Sequence, residues 1–265
     1  MNQLIIGQYV PGDSIIHRLD PRAKLISVLI FIFIVFLANN LLTYACLAVF
    51  TIGAVGLSRV PIHYIYKGLR PVLWIILITF LLQAFMTHEG GLLFQVGPIH
   101  VYSGGVMRGL YVAMRIFFLI VVTTLLTLTT TPIDITDGLE ILLSPLKRFR
   151  LPVHEFALMI SISLRFIPTL MEETEKIIKA QTARGTEFSS GPIKERVKAV
   201  VPLLVPLFIG AFKRAEDLAL AMEARGYRGG EGRTRLRLLA WQFADSGLMV
   251  VLAILTAVLI WLRTY

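Results

Sequence analysis

The sequence predicts an all-α membrane protein of about five transmembrane helices, with a helical cytosolic coupling domain inserted before the last span. Three observations carry this expectation. Of 265 residues, 56% are hydrophobic and 16% charged, against about 45–50% and about 25% in soluble domains. The apolar residues gather into blocks suited to crossing a bilayer, and mean hydropathy is +0.74. Lysine and arginine are also unevenly shared among the segments between those blocks. A water-soluble enzyme is excluded by this composition.

The first span is expected over Leu25–Ala38. Asp20 can cap the free amides of a helix, and Pro21 suits the first helical position because its missing N–H costs nothing there. Asn39-Asn40 breaks the apolar run, and Leu41–Leu57 returns as the second span. Ser58–Arg70 reads as a polar loop. The third span follows from about Pro71 to Thr87, and a glycine-rich loop, His88–Gly105, leads into a fourth at about Val106–Thr131. The last covers about Phe243–Leu262. The expected division is therefore 1–131 as the membrane domain with spans one to four, 132–242 as the cytosolic domain, and 243–265 as the last transmembrane helix.

The formal net charge is +9, and its placement sets the orientation. Arg18, Arg22 and Lys24 precede the first span, and Arg59, Lys67 and Arg70 lie between the second and third. Neither the Asn39-Asn40 turn nor the loop 88–105 carries a basic residue, while residues 132–242 carry seventeen. The positive-inside rule then puts the N-terminus and the insert in the cytosol and the C-terminus outside. Two further apolar stretches, Phe156–Leu170 and Ala199–Phe212, are shorter than the roughly 20 residues a crossing needs. Crossing would also export Lys176, Lys179, Arg184, Lys194, Arg196 and Lys198. They are expected as cytosolic helices whose apolar portions pack on each other, on the membrane face or on partners.

Several residue types carry little chemistry. Met1 to Ile16 lacks the basic start and apolar core of a signal peptide. The single cysteine, Cys46, lies in an apolar block and reads as packing. The five histidines are scattered, so no metal site is indicated. No phosphate-binding loop occurs; the nearest string, from Gly229 to Thr234, lacks the spacing and the lysine, so no nucleotide or other cofactor is expected on this chain. Two charges fall in or near a span. Arg108 is expected at the outer interface. Arg115 lies deeper, where it either pairs with backbone carbonyls and snorkels or meets a membrane partner.

The insert contains an internal repeat. Glu175 to Gly185 (EKIIKAQTARG) aligns with Glu216 to Gly226 (EDLALAMEARG) at an offset of 41. Each copy closes a helical stretch with Ala-Arg-Gly: Ala183, Arg184 and Gly185, then Ala224, Arg225 and Gly226. Glycine past the last turn is a usual helix stop, and arginine suits the negative end of the helix dipole. Two readings follow from the residues alone. The copies are ordinary capped helix ends, or they are rigid tips whose guanidinium groups enter acidic clefts and bind carboxylates in a two-pronged fashion.

Ala221 to Tyr227 (AMEARGY) and Ala180 to Gly185 (AQTARG) resemble the paired coupling-helix motifs of the transmembrane T component of energy-coupling-factor transporters, an ABC-type class. His17 to Lys24 (HRLDPRAK) resembles the segment before that family's first span, and Arg165 to Leu170 (RFIPTL) its first coupling helix. The likeness covers nearly the whole chain, with the motifs in the expected order. It implies a subunit joining two ABC-type ATPases to a small membrane-embedded substrate-binding S component for uptake of a vitamin or similar micronutrient. It also implies that ATP is bound and hydrolysed by the partners. By carry-over, Ala183, Arg184 and Gly185 contact one ATPase, and Ala224, Arg225 and Gly226 the other. The apolar segment Ala199–Phe212 is expected to pack on the neighbouring coupling helix and to offer Leu203, Leu204, Leu207 and Phe208 to the S component.

The basic run Arg225, Arg228, Arg233, Arg235 and Arg237 precedes the last span. It marks the cytosolic side and touches anionic membrane lipid rather than nucleic acid. A self-sufficient secondary carrier should show acidic or broken-helix sites at mid-membrane, and none of the assigned spans holds an Asp or Glu in its interior. A T component of a dedicated cobalt or nickel uptake system remains the alternative within the family.

Overall fold

A computed structural model describes residues 9–96, 99–186, 193–229 and 239–263. It is helical apart from one hairpin, and it divides into two compact units, 1–142 with 239–265 and 143–238.

The first unit begins with a short turn of helix, α1 (Ile15–Arg18). Asp20 then caps α2 (Pro21–Val35), its side chain accepting the Arg22 N–H with Pro21 in the first turn. The apolar run continues past α2 in tighter turns, Leu37 N–H to Ile34 at 3.0 Å and Ala38 N–H to Val35 at 3.4 Å, before Asn40 opens α3 (Leu41–Ser58). Next come α4 (Ile62–Met86), the antiparallel strands β1 (Leu92–Val96) and β2 (Ile99–Tyr102), α5 (Ser103–Thr129) and α6 (Pro132–Leu142). The chain returns to this unit for α9 (Phe243–Arg263).

Three sequence expectations change here. The stretch 58–70 is not a loop: α4 starts at Ile62 and runs through Pro71. Ile65 and Leu69, one turn apart, are buried with Val121 and Leu128 of α5, and that packing outweighs the hydrogen bond Pro71 forfeits. The loop 88–105 contains the hairpin, with Val96 opposite Ile99. The expected start of the insert at 132 also shifts. α6 packs on α2, with Gly138 lying so close to Pro21 and Leu25 that an added Cβ would stand 3.2 Å from the proline.

The core gathers Phe31, Ile34 and Val35 of α2, Tyr44 and Leu47 of α3, Phe118 of α5, and Leu252, Leu255 and Leu259 of α9. Cys46 packs beside it, as expected of a packing residue. Many large apolar side chains point outward, among them Trp74 at 70% exposed and Phe33 at 73%. In water such a surface would aggregate; lipid is the solvent it suits.

Five described helices are long and apolar enough to cross a membrane: α3, α4, α5, α9 and α7 (Val153–Ala183). The number matches the expectation, but the membership differs. α2 has 15 residues and so falls outside this set. Its apolar run continues in tighter turns to Ala38, which brings the rise to about 27 Å against a hydrocarbon core of about 30 Å, enough for the expected first span. α7 gains its length because Phe156–Leu170 continues through Pro168 into the polar stretch that follows.

The second unit holds a 3-10 turn (Ser144–Phe149), α7, and α8 (Ile193–Ala224), which runs unbroken through Pro202 and Pro206. α7 and α8 touch each other over a limited part of their length.

Candidate functional site

Both copies of the repeated motif end a long helix in the same way. Gly185 has φ +87° and Gly226 φ +73°, a left-handed conformation that costs an L side chain roughly 1–2 kcal/mol. Nothing lies within 4 Å of where a Cβ would be at either glycine, so backbone conformation rather than crowding calls for the residue. At the first tip, the N–H of Gly185 donates to Thr182 at 2.9 Å and that of Thr186 to Gln181 at 3.0 Å. At the second, Gly226 donates to Glu223 at 2.8 Å and Tyr227 to Met222 at 3.0 Å. These are the paired bonds of a Schellman cap, repeated position for position.

The cap satisfies the last carbonyls and fixes where the preceding arginine leaves the helix. Arg184 N–H and Arg225 N–H each donate back four residues, to Ala180 and Ala221, both at 3.3 Å. Ala183, Arg184, Gly185, Ala224, Arg225 and Gly226 are all exposed. Among the described residues neither guanidinium is held in an ion pair. A cation on the negative end of a helix, with no ion-pair partner among the described residues, is placed to meet an anionic group on another molecule.

The two tips differ in charge. Residues 175–185 carry one acid and three bases, whereas 216–226 carry three acids and one base. Glu175, Lys176 and Lys179 are exposed on the first copy, as are Glu216, Asp217 and Glu223 on the second. The arginines repeat while their electrostatic surroundings invert.

On α8, the expected partner-facing residues divide into two groups. Leu203 and Leu207 are partly covered, on the same stripe as Gly210 and Arg214, while Leu204 is 42% exposed and Phe208 60%. Val201, Val205, Ile209 and Phe212 extend the exposed apolar face. Of the basic run, Arg233, Arg235 and Arg237 lie outside the described residues; Arg225 and Arg228 are exposed.

Both span-associated arginines find partners within the first unit. Arg108 pairs with Glu89 at 3.1 Å on an exposed surface. Arg115 donates from Nη2 to the Ala38 carbonyl at 3.3 Å and stacks over Phe36, 4.9 Å from the ring centre. It thus caps the turn that ends the α2 run, the carbonyl-pairing alternative of the two raised by the sequence.

Sequence reasoning missed a buried polar cluster formed by Asp20, Arg22, Lys24 and Asp245. Asp245 is fully buried, and Lys24 Nζ donates to the Thr129 carbonyl at 3.0 Å and Thr130 Oγ1 at 3.1 Å. Its one sequence signal was the concentration of charge just before an apolar run.

The fold and the matched tips define a class: a multi-pass helical membrane subunit that presents paired, exposed helix ends. The chain belongs to the CbiQ family, described as cobalt transport protein, whose model matches residues 12–236. It is 64% identical over 263 residues to the energy-coupling factor transporter transmembrane protein EcfT of Bacillus subtilis (strain 168), with 99% of each chain covered. Its identity to the EcfT of Listeria innocua serovar 6a is 58% over 264 residues, and to that of Streptococcus thermophilus 46% over 264, in both cases over the full length of each chain. The chain is thus the transmembrane component of an energy-coupling-factor transporter.

Proposed function

We propose that this subunit is the mechanical link of its transporter. Two ABC-type ATPases grip the tips at Arg184 and Arg225 and move them when they close on ATP. The second unit passes that motion to a small membrane-embedded S component, which releases a vitamin or similar micronutrient inward. ATP is bound and hydrolysed by the partners, and this chain performs no catalysis. The subunit lies in the cell membrane with its N-terminus and residues 132–242 on the cytosolic side and its C-terminus outside.

One observation carries this reading: two long helices end in the same cap, each aiming an exposed arginine with no partner among the described residues. A cap that serves only to stop a helix has no need of arginine twice at the same place. The charge pattern supports the orientation, and it keeps α7 in the cytosolic part although its length and composition suit a crossing. The family description, cobalt transport protein, favours a dedicated cobalt or nickel system as the second reading. The names of the relatives favour the first.

Affinity purification of the tagged chain from its native membrane tests the proposal. Two ATPases and a small membrane protein should co-purify. Recovery of the chain alone, from cells whose uptake depends on it, would overturn the proposal.

A further inference from the structure

The ion pair that joins the two long helices lies at equivalent positions of the repeat. Arg214 of α8 donates from Nη2 to Glu173 of α7, and the two residues are 41 positions apart, the offset that superimposes the two tip motifs. Each therefore stands eleven residues before its own tip arginine, Glu173 before Arg184 and Arg214 before Arg225. On a helix rising about 1.5 Å per residue, both tips extend about 16 Å beyond the pair.

The neighbouring residues make this contact specific. Gly210, one turn before Arg214, lies under the Glu173 carboxylate, and a Cβ there would stand 3.1 Å from Oε1. Any side chain at 210 would press on the acid. Both partners are half-buried, each side chain 29% exposed, so the pair is shielded from water more than a surface bridge is. Leu203 and Leu207 continue the same stripe of α8. The apolar part of that stripe tolerates sliding, because one aliphatic contact can replace another. The ion pair does not, since a shift of one turn, about 5.4 Å, would separate two partly desolvated charges.

We infer that Glu173 and Arg214 form the fixed crossing point of the coupling unit. As positioning residues they hold the two tips at equal reach and turn displacement of either tip into rotation about the pair instead of sliding of α7 along α8. The inference rests on the proposed function, in which the tips are the driven ends.

The test uses the complete complex, with ATPases and S component, in liposomes, and it reads uptake per ATP hydrolysed. Glu173→Gln and Arg214→Gln should keep the ATPases bound and hydrolysing while uptake per ATP falls roughly ten-fold, a change in coupling of about 1.4 kcal/mol. Glu173→Cys with Arg214→Cys, in a Cys46→Ala background, should show the same loss. Joining those two cysteines with a short bis-maleimide should then bring uptake per ATP back to within about two-fold of the parent, about 0.4 kcal/mol, because a fixed point can be made covalent without harm. Unchanged coupling in the glutamine variants would overturn the inference, as would a cross-link that leaves uptake low. Failure of the parent complex to hold ATPases at all would instead count against the proposed function.

Discussion

Asp245 Oδ1 accepts the backbone N–H of Asp20 at 2.8 Å, joining the start of α9 to the start of α2 across 225 positions. The other oxygen, Oδ2, accepts the Gln242 N–H at 2.7 Å and so caps its own helix from the third position. Asp20 in turn receives Arg22, whose Nη2 also reaches the Leu239 carbonyl at 3.0 Å. Lys24, one turn further on, holds the end of α5. The chain leaves for the second unit after α6 and returns just before α9, and the end of α5 and the start of α9 are both tied to the same short stretch, Asp20 to Lys24, at the start of α2.

Asp245→Ala should therefore destabilise the membrane unit. It leaves two N–H groups without their acceptor, each at a cost of about 1–3 kcal/mol when buried. Thermal unfolding in detergent should show a clearly lower midpoint for Asp245→Ala than for a control substitution, Ala240→Ser, at a nearby exposed position. An unchanged midpoint would mean that the contact contributes nothing.

Acid should act on the same cluster through Asp20. Burial works against its carboxylate, but hydrogen bonds and charge from Arg22, with help from Lys24, hold its pKa below the ordinary value. Because the folded-state pKa is lowered, this stabilisation is complete above the ordinary aspartate pKa of about 3.9 and is lost as pH falls through the lowered one. Asp20→Asn should be less stable than the parent at neutral pH, and the difference should shrink on acidification below about pH 4. A gap between the two proteins that is the same at neutral and acid pH would contradict this.

The legibility of the fold follows from the range of the interactions. Asp20-Pro21 announced a helix start because capping is local, and Ala-Arg-Gly announced two helix ends for the same reason. The passage of α4 through Pro71 was hidden because the gain lies in burial of Ile65 and Leu69 against α5, far away in sequence. The hairpin was masked by the glycines around it, although Leu92–Val96 and Ile99–Tyr102 are rich in residues suited to strands. No local pattern could pair Asp245 with Asp20, Arg115 with the Ala38 carbonyl, or Glu173 with Arg214. The tips were readable as a motif; the shared geometry of their caps required coordinates.

The exposed face of α8 separates two effects that the sequence merged. Phe208→Glu places a charge on a surface open to a partner, whereas Leu207→Glu places one on the stripe shared with Gly210 and Arg214. Phe208→Glu should weaken S-component retention and leave the ATPases bound. Leu207→Glu should disturb the α7–α8 contact and reduce retention of both. Co-purification ratios measure this directly, and equal losses in the two variants would remove Phe208 from the partner surface.

Orientation is open to chemical labelling. Single cysteines at Gly91 and Asp217, each exposed and introduced into a Cys46→Ala background, should react oppositely with an impermeant thiol reagent in intact cells. Gly91→Cys should label and Asp217→Cys should not. Labelling at Asp217→Cys would contradict a cytosolic coupling unit.

In the proposed function the two arginine tips carry the ATPase contact. Uptake by the reconstituted complex, measured beside ATPase retention, tests it most directly in the double variant Arg184→Ala with Arg225→Ala. Loss of a charge from a desolvated pair costs about 2–5 kcal/mol, against about 0–1 for an exposed one. The single variants should be impaired to different degrees, since the charges around the tips are inverted. The double variant should still insert into the membrane, lose uptake and uncouple whatever ATP hydrolysis remains. Normal uptake with normal ATPase retention would contradict the account and leave both motifs as ordinary helix caps.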